Sequence, residues 1–385
     1  MDNILNIFKE LCDHPYRNVE NWKNSMNKKV IGCLPMYFPD EIVHAAGLLP
    51  ITLFGTNEMI TMADRHLMTN ACDQVRSTYD GLLKGKYDFV DGIAALHVCD
   101  QVRFFLEVWQ LDHPFPYFHQ MWRPYKMDGS TRPFLVSELR RLKSSFESFT
   151  GKEIKDDAIR ESIKLYNASR AMMRRLSRFR GKRTGMISES DMLHVVTSSM
   201  VMPREVHTKL MEELLSKIEN EKKQDEQKIK IVIAGHPCGV PDDGLLNMIE
   251  DLGMAIMEDD FFGSGRSIHS DVSLEGDPIE SFADFYINAI PCTTYHFPAN
   301  WGGNAKTYSS YADHVIEMMK RSEAKGIIII KVMYCDPFDM EFVLLKERLD
   351  EEKIPYLALL TEHGHYNLEP MRTRIQAFKE TLESH

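Results

Sequence analysis

Lys325-Gly326-Ile327-Ile328-Ile329-Ile330-Lys331-Val332-Met333-Tyr334-Cys335-Asp336-Pro337 is the stretch on which the fold turns. A glycine opens a short run of β-branched residues, and Asp336-Pro337 reads as the start of a helix. Gly326 to Met333 is therefore expected to be a strand that delivers Cys335 to its carboxyl end. Similar runs lie on either side: Lys228 to Gly235, Met254 to Met257 and Tyr356 to Leu360, with a last helix from about Glu369 to Leu382. The N-terminal half repeats the pattern. Lys29-Val30-Ile31-Gly32 reads as a strand, followed by a helix opened by Pro39-Asp40-Glu41 and closed by Gly47. Leu49 to Phe54 and Phe89 to Val98 read as further strands, the latter ending at Cys99. Short apolar runs alternating with helical patterns predict βαβ units and parallel sheets.

Between the halves, from about Thr150 to Glu221, the period changes to that of long amphipathic helices. Ile159, Ile163, Tyr166, Met173 and Leu176 share one stripe, and Leu210, Leu214 and Ile218 another. The fold class expected is α/β, with two Rossmann/flavodoxin-like parallel-sheet domains and an intervening helical segment. The boundaries fall at 1–149, 150–226 and 227–385. The charged run 219–226 reads as a solvated helix end or linker.

At 385 residues, 43% hydrophobic and 27% charged, the chain has ample material for such cores without disulfides. A net charge of -11 argues against a nucleic-acid surface, which needs clustered Lys and Arg to displace counterions from phosphates. The N-terminus lacks a secretory pattern, and no run approaches the ~18 apolar residues of a membrane span. A cytoplasmic, reducing location is expected, in which the seven cysteines remain thiols free for metals or catalysis.

Two cysteines occupy parallel places. Asp91-Gly92-Ile93 leads through an apolar run to Cys99-Asp100, as Lys325-Gly326-Ile327 leads to Cys335-Asp336. In open parallel sheets, functional residues gather beyond the carboxyl ends of strands. Cys72, in Asn70-Ala71-Cys72-Asp73-Gln74-Val75-Arg76-Ser77, also precedes a helical run. Helix N-termini stabilise thiolates. These three cysteines are candidate ligands of an iron–sulfur cluster, and three thiolates would leave one iron open. Spacing so dispersed suits zinc as well, and two unrelated core cysteines would give the same parallel. Cys238, in Gly235-His236-Pro237-Cys238-Gly239, is the rival ligand. Cys33 directly follows the first strand, and Cys12 and Cys292 read as packing residues.

These residues also carry a family resemblance. Ile31-Gly32, Pro39 to Pro50, Cys72 to Ser77, Tyr87-Asp88-Phe89-Val90-Asp91-Gly92 and Tyr334-Cys335-Asp336-Pro337 together resemble the 2-hydroxyacyl-CoA dehydratase / benzoyl-CoA reductase family over almost the whole chain. The resemblance implies one [4Fe-4S] cluster on Cys72, Cys99 and Cys335. It also implies a homologous cluster-binding partner subunit, an ATP-hydrolysing iron–sulfur electron donor and an acyl-CoA substrate. Leu53-Phe54-Gly55-Thr56-Asn57-Glu58 looks closer to the smaller benzoyl-CoA reductase subunits, which implies ATP-dependent reduction of an aromatic acyl-CoA. The alternatives are a radical 2-hydroxyacyl-CoA dehydratase subunit and a non-catalytic electron-relay subunit. The chain has no GxxxxGK[ST] loop for ATP.

Ring reduction consumes protons and radical dehydration releases hydroxide, so proton-handling groups are needed. Glu58, just past a strand, and His97, two residues before Cys99, are the catalytic candidates. The competing readings are a solvated carboxylate and a hydrogen-bonded core histidine. Gly263-Ser264-Gly265-Arg266 reads as a phosphate cradle or a simple turn, Asp242-Asp243-Gly244 as a helix cap, and His363 and His365 as a surface loop.

Overall fold

The computed structural model describes residues 1–384 apart from 35, 56–57, 126–127, 183–185, 220–227, 236–237, 239–241, 289–291, 294–309 and 363–367. The charged run from 220 on and the His363/His365 pair therefore lie outside the described residues.

Among the described residues, eight strands make two four-stranded, all-parallel sheets. The first holds β1 (Val30–Leu34), β2 (Leu49–Thr52), β3 (Gly92–Leu96) and β4 (Phe118–Met121), in the order β2-β1-β3-β4. The second holds β5 (Ile229–Gly235), β6 (Met254–Asp259), β7 (Gly326–Val332) and β8 (Tyr356–Thr361), in the matching order β6-β5-β7-β8. Each order reverses direction between two central strands, β1 and β3 in one sheet, β5 and β7 in the other. Those are the points where open α/β sheets form a crevice. The α/β class with two parallel sheets expected from the sequence is present.

Local details follow the residues. Gly47 closes the Asp40–Ala45 helix at φ +77°, a conformation that glycine adopts without steric cost. The apolar run of β7 is buried along nearly its whole length, since helices cover both faces of a parallel sheet. β4 is an edge strand of sequence Phe-His-Gln-Met; its pairing to β3, not an apolar run, makes it a strand. Cys33 lies inside β1, opposite Thr52 and Ala94, so it is a core residue and not a loop residue after the strand.

The helical stretch starts earlier than the change of period near Thr150, with a helix at Thr131–Thr150 followed by Asp156–Lys182, Glu189–Ser198 and Arg204–Ile218. Ile159, Ile163, Tyr166, Met173 and Leu176 are all buried, as their stripe predicts. The Thr131–Thr150 helix packs on the Pro278–Ile287 helix, and Arg132 binds Glu280 and Asp284 across that contact. One extended core joins the first sheet to the helical stretch, and two smaller cores flank the second sheet. No helix among the described residues is long and apolar enough to cross a membrane.

Candidate functional site: a four-cysteine cavity between the sheets

Cys72, Cys99 and Cys335 each occupy the N-cap position of a helix: Asp73–Leu83, Asp100–Asp112 and Asp336–Glu351 respectively. Each is followed by an aspartate at the first helical position, where a negative charge meets the positive end of the helix dipole. Tertiary folding brings the three together. They line one cavity of ≈ 40 Å³, walled by apolar side chains including Leu34, Val102, Phe105 and Pro337. Gln101 Nε2 donates to Asp336 Oδ2 at 3.4 Å, linking the two halves beside it. Tyr334, immediately before Cys335, sits at φ +63°, an uncommon backbone state for a bulky residue and one that concentrates at functional sites.

Burial pushes all three thiols above their ordinary range. The Val75 and Gln74 amides in the first turn draw Cys72 partly back down. Cys99 is pushed up to about 12 by burial, against the pull of the Val102 amide and with a further push from Cys72. Cys335 is raised by burial and then by Cys72, and lowered by the Phe338 amide. None of the three closes a side-chain capping hydrogen bond. Several thiols crowded into one apolar cavity cannot ionise together by themselves. A cationic metal group would hold them as thiolates and release their protons. First-turn amides facing the sulfurs suit the negative charge of a thiolate-ligated cluster. The donor set therefore fits the cluster that the sequence implies. Among the described residues no three His, Cys, Asp or Glu side chains converge on one ion position. Cluster ligands bind separate irons and stand farther apart than the ligands of one zinc.

A fourth cysteine lines the same cavity. Cys238, three residues past β5, is half-buried there, and its thiol lies 3.7 Å from Met36 Sδ. The remaining cysteines do not line it: Cys12 donates to the His194 carbonyl at 3.3 Å, and Cys33 and Cys292 are buried.

The other candidates fall elsewhere. Glu58 is half exposed and accepts a 2.8 Å hydrogen bond from Lys86, which holds its carboxyl below the usual range, with Lys84 at 3.6 Å. His97 is 6% exposed and packs on Trp122, with ring centres 4.5 Å apart. Among the described residues, neither of its ring nitrogens has a hydrogen-bond partner. His97 does not line the cysteine cavity. The Gly263–Arg266 turn is built around protein groups: Ser264 Oγ and the Gly265 amide donate to Asp259 at 2.9 and 3.0 Å, and Arg266 binds Asp260. These donors serve protein groups, which favours the turn over the phosphate cradle. Asp242 caps its helix through the Gly244 amide at 2.7 Å, as expected.

Asp40 carries chemistry that sequence reading missed, having shown only as a helix opener. It lines a second cavity of ≈ 110 Å³ with Arg170, Arg204 and Tyr37, and Leu34 is a wall of both cavities. Burial raises its carboxyl to about 7, against the pull of Arg204. No local pattern signals this, because Arg170 and Arg204 reach Asp40 from distant parts of the chain.

Residues 35–382, which include all four cavity cysteines and every strand except β1, match the family described as 2-hydroxyglutaryl-CoA dehydratase, D-component. The chain belongs to that family. Three relatives show its range. A benzoyl-CoA reductase subunit of Thauera aromatica is 26% identical over 381 residues, 97% of each chain. The (R)-phenyllactyl-CoA dehydratase beta subunit of Clostridium sporogenes is 26% identical over 383 residues, 99% of each. The beta subunit of (R)-2-hydroxyglutaryl-CoA dehydratase of Acidaminococcus fermentans is 26% identical over 383 residues, 98% of this chain and 99% of the relative. The family thus includes subunits of reductases and of dehydratases, at equal distance from this chain.

Proposed function

We propose that the chain is the iron–sulfur subunit of an ATP-dependent aromatic acyl-CoA reductase of the benzoyl-CoA type. One [4Fe-4S] cluster is held by Cys72, Cys99 and Cys335. The observation that carries this reading is the convergence of three N-cap cysteines on one apolar cavity at the crevices of both sheets. When bound, such a cluster supplies low-potential electrons singly. The chain's own residues do the rest. First-turn amides offset the thiolate charge, the Leu34, Val102 and Phe105 walls exclude water, and the helix N-termini fix the sulfurs. For the protons that ring reduction consumes, His97 and Glu58 are the proposed groups. His97 is the better supported, since its ring nitrogens have no partner among the described residues whereas Glu58 is engaged by Lys86. A homologous cluster-binding subunit, an ATP-hydrolysing iron–sulfur donor and an acyl-CoA complete the reaction. All would work in the cytoplasm.

The equal identity to two dehydratase beta subunits supports a second reading, radical dehydration of a 2-hydroxyacyl-CoA. The first test is iron and acid-labile sulfide in protein purified without oxygen, with electron paramagnetic resonance after reduction. About four irons per chain are expected, and Cys72→Ala, Cys99→Ala and Cys335→Ala should lose them. Iron-free anaerobic protein would sink the reading. With partner and donor present, a dienoyl-CoA product supports the reductase and an enoyl-CoA the dehydratase.

A further inference from the structure

We propose that the arginine-lined cavity sharing Leu34 with the cysteine cavity binds a free short-chain monocarboxylate the size of propionate, held by Arg204 and Asp40. The inference stands apart from the iron–sulfur reading, since none of the proposed cluster ligands lines this cavity.

The two arginines of the cavity differ in their company. Arg170 is matched, with Glu41 at 2.7 Å and Asp271 at 3.5 Å from its guanidinium. Arg204 is 8% exposed and sits by neutral groups, Ser169 Oγ at 3.5 Å and the Tyr166 ring at 4.3 Å. Its Nε has no hydrogen-bond partner among the described residues. A buried cation without an ionised partner is costly, so the site favours an incoming anion. Asp40 lines the same cavity, and burial raises its carboxyl to about 7, so at pH 6 it is a neutral O–H donor. A guanidinium and a protonated carboxyl both donate, and a carboxylate accepts from both. Phe262, Phe282, Phe285 and Tyr286 wall the rest, which suits an apolar body behind that carboxylate. Volume sets its size. An apolar cavity of roughly 150 Å³ takes benzene. On that scale the ≈ 110 Å³ here holds about four or five non-hydrogen atoms, a propionate and not an aromatic acid. Tyr37, another lining residue, stands at φ +57°, a backbone state that concentrates at ligand sites. The titratable and charged groups around Asp40 are Cys33, Glu41, Tyr166, Arg170 and Arg204. A carboxylate bound beside Asp40 opposes its ionisation, so ligand and proton are held together.

The test is calorimetric titration of propionate into the anaerobically purified full chain at pH 6 and pH 8. Propionate should bind at pH 6 and about tenfold more weakly at pH 8, because the protonated share of a group titrating near 7 falls by that factor. Asp40→Asn, neutral at both, should bind equally at both. Arg204→Met should weaken binding by on the order of tenfold or more with its circular dichroism unchanged, and Arg204→Lys should recover part. Propionamide, of the same size without the charge, should not compete, and benzoate should bind more weakly than propionate. No binding of propionate at pH 6 overturns the inference, as does binding that survives Arg204→Met. Should that variant fail to fold, Asp40→Asn decides: a pH dependence it retains overturns the inference. Binding of propionyl-CoA in place of free propionate also overturns it, because the cavity then serves the thioester. Iron content is counted separately, so failure here leaves the iron–sulfur reading standing.

Discussion

Alanine at Gly235 is the perturbation that tests the crevice architecture most directly. Gly235 ends β5 at φ +97°, and its amide donates to the Tyr311 hydroxyl at 3.1 Å. A Cβ there would lie 2.2 Å from the Ile330 carbonyl oxygen of β7 and 3.0 Å from Phe338, in the helix capped by Cys335. Backbone cannot yield as a side-chain tip does, so β5 must move off β7 and disturb the approach to both Cys238 and Cys335. The dihedral contributes roughly 1–2 kcal/mol of strain, and forced overpacking roughly 1–3 kcal/mol more. Gly276 isolates the first effect, since at φ +73° nothing lies within 4 Å of its would-be Cβ. Gly276→Ala should therefore lose only about 1–2 kcal/mol and keep its iron. Gly235→Ala should lose about 2–5 kcal/mol and part of its iron. Anaerobic urea denaturation followed by circular dichroism, with iron counted in parallel, measures both. Equal destabilisation of the two variants, with equal iron, would refute the close-approach reasoning.

Three further expectations concern buried charge and metal loading. The folded Asp40 carboxyl titrates near 7 against an ordinary value of 3.8, so the folded state holds a proton that the unfolded chain gives up. Stability is then unpenalised below about pH 4, falls as pH climbs through 7, and is flat above; the loss is at most on the order of 4 kcal/mol. Asp40→Asn should gain on wild type between pH 5 and 8 in denaturation midpoints, and a pH-independent difference counts against this account. Arg180, 5% exposed, binds Glu189 and, at 3.1 Å, Asp259, both buried. Arg180→Met leaves buried Glu189 without its counter-charge and should lose on the order of 3–5 kcal/mol at pH 8, less at acid pH, because burial already favours the protonated form of Glu189. A loss that grows toward acid pH would contradict that pairing. Metal loading and folding stability should rise together, because ligands from both halves meet only in the folded chain. Identical urea midpoints for iron-loaded and chelator-treated protein would speak against that linkage.

Much of the protein was legible in one dimension. The isoleucine run of β7, the glycines that open and close elements, and the buried stripe Ile159–Leu176 are local patterns. Their period is set by helix or strand geometry before any tertiary contact forms. The strand-end cysteines were legible for the same reason, because a Cys-Asp after an apolar run marks a strand passing into a helix. β4 was not, since an edge strand needs only one neighbour and carries no apolar run of its own. Nor was the fate of the glycine-rich turn at Gly263–Arg266, whose donors serve Asp259 and Asp260. What only the tertiary structure decided is which distant groups share a space. It brought Cys238 among Cys72, Cys99 and Cys335, enclosed Asp40 with arginines from two later helices, and packed the His97 ring on Trp122 with no hydrogen-bond partner among the described residues. Dielectric and proximity are properties of the packed interior and have no periodicity along the chain, so the residue types were readable but their ionisation and company were not.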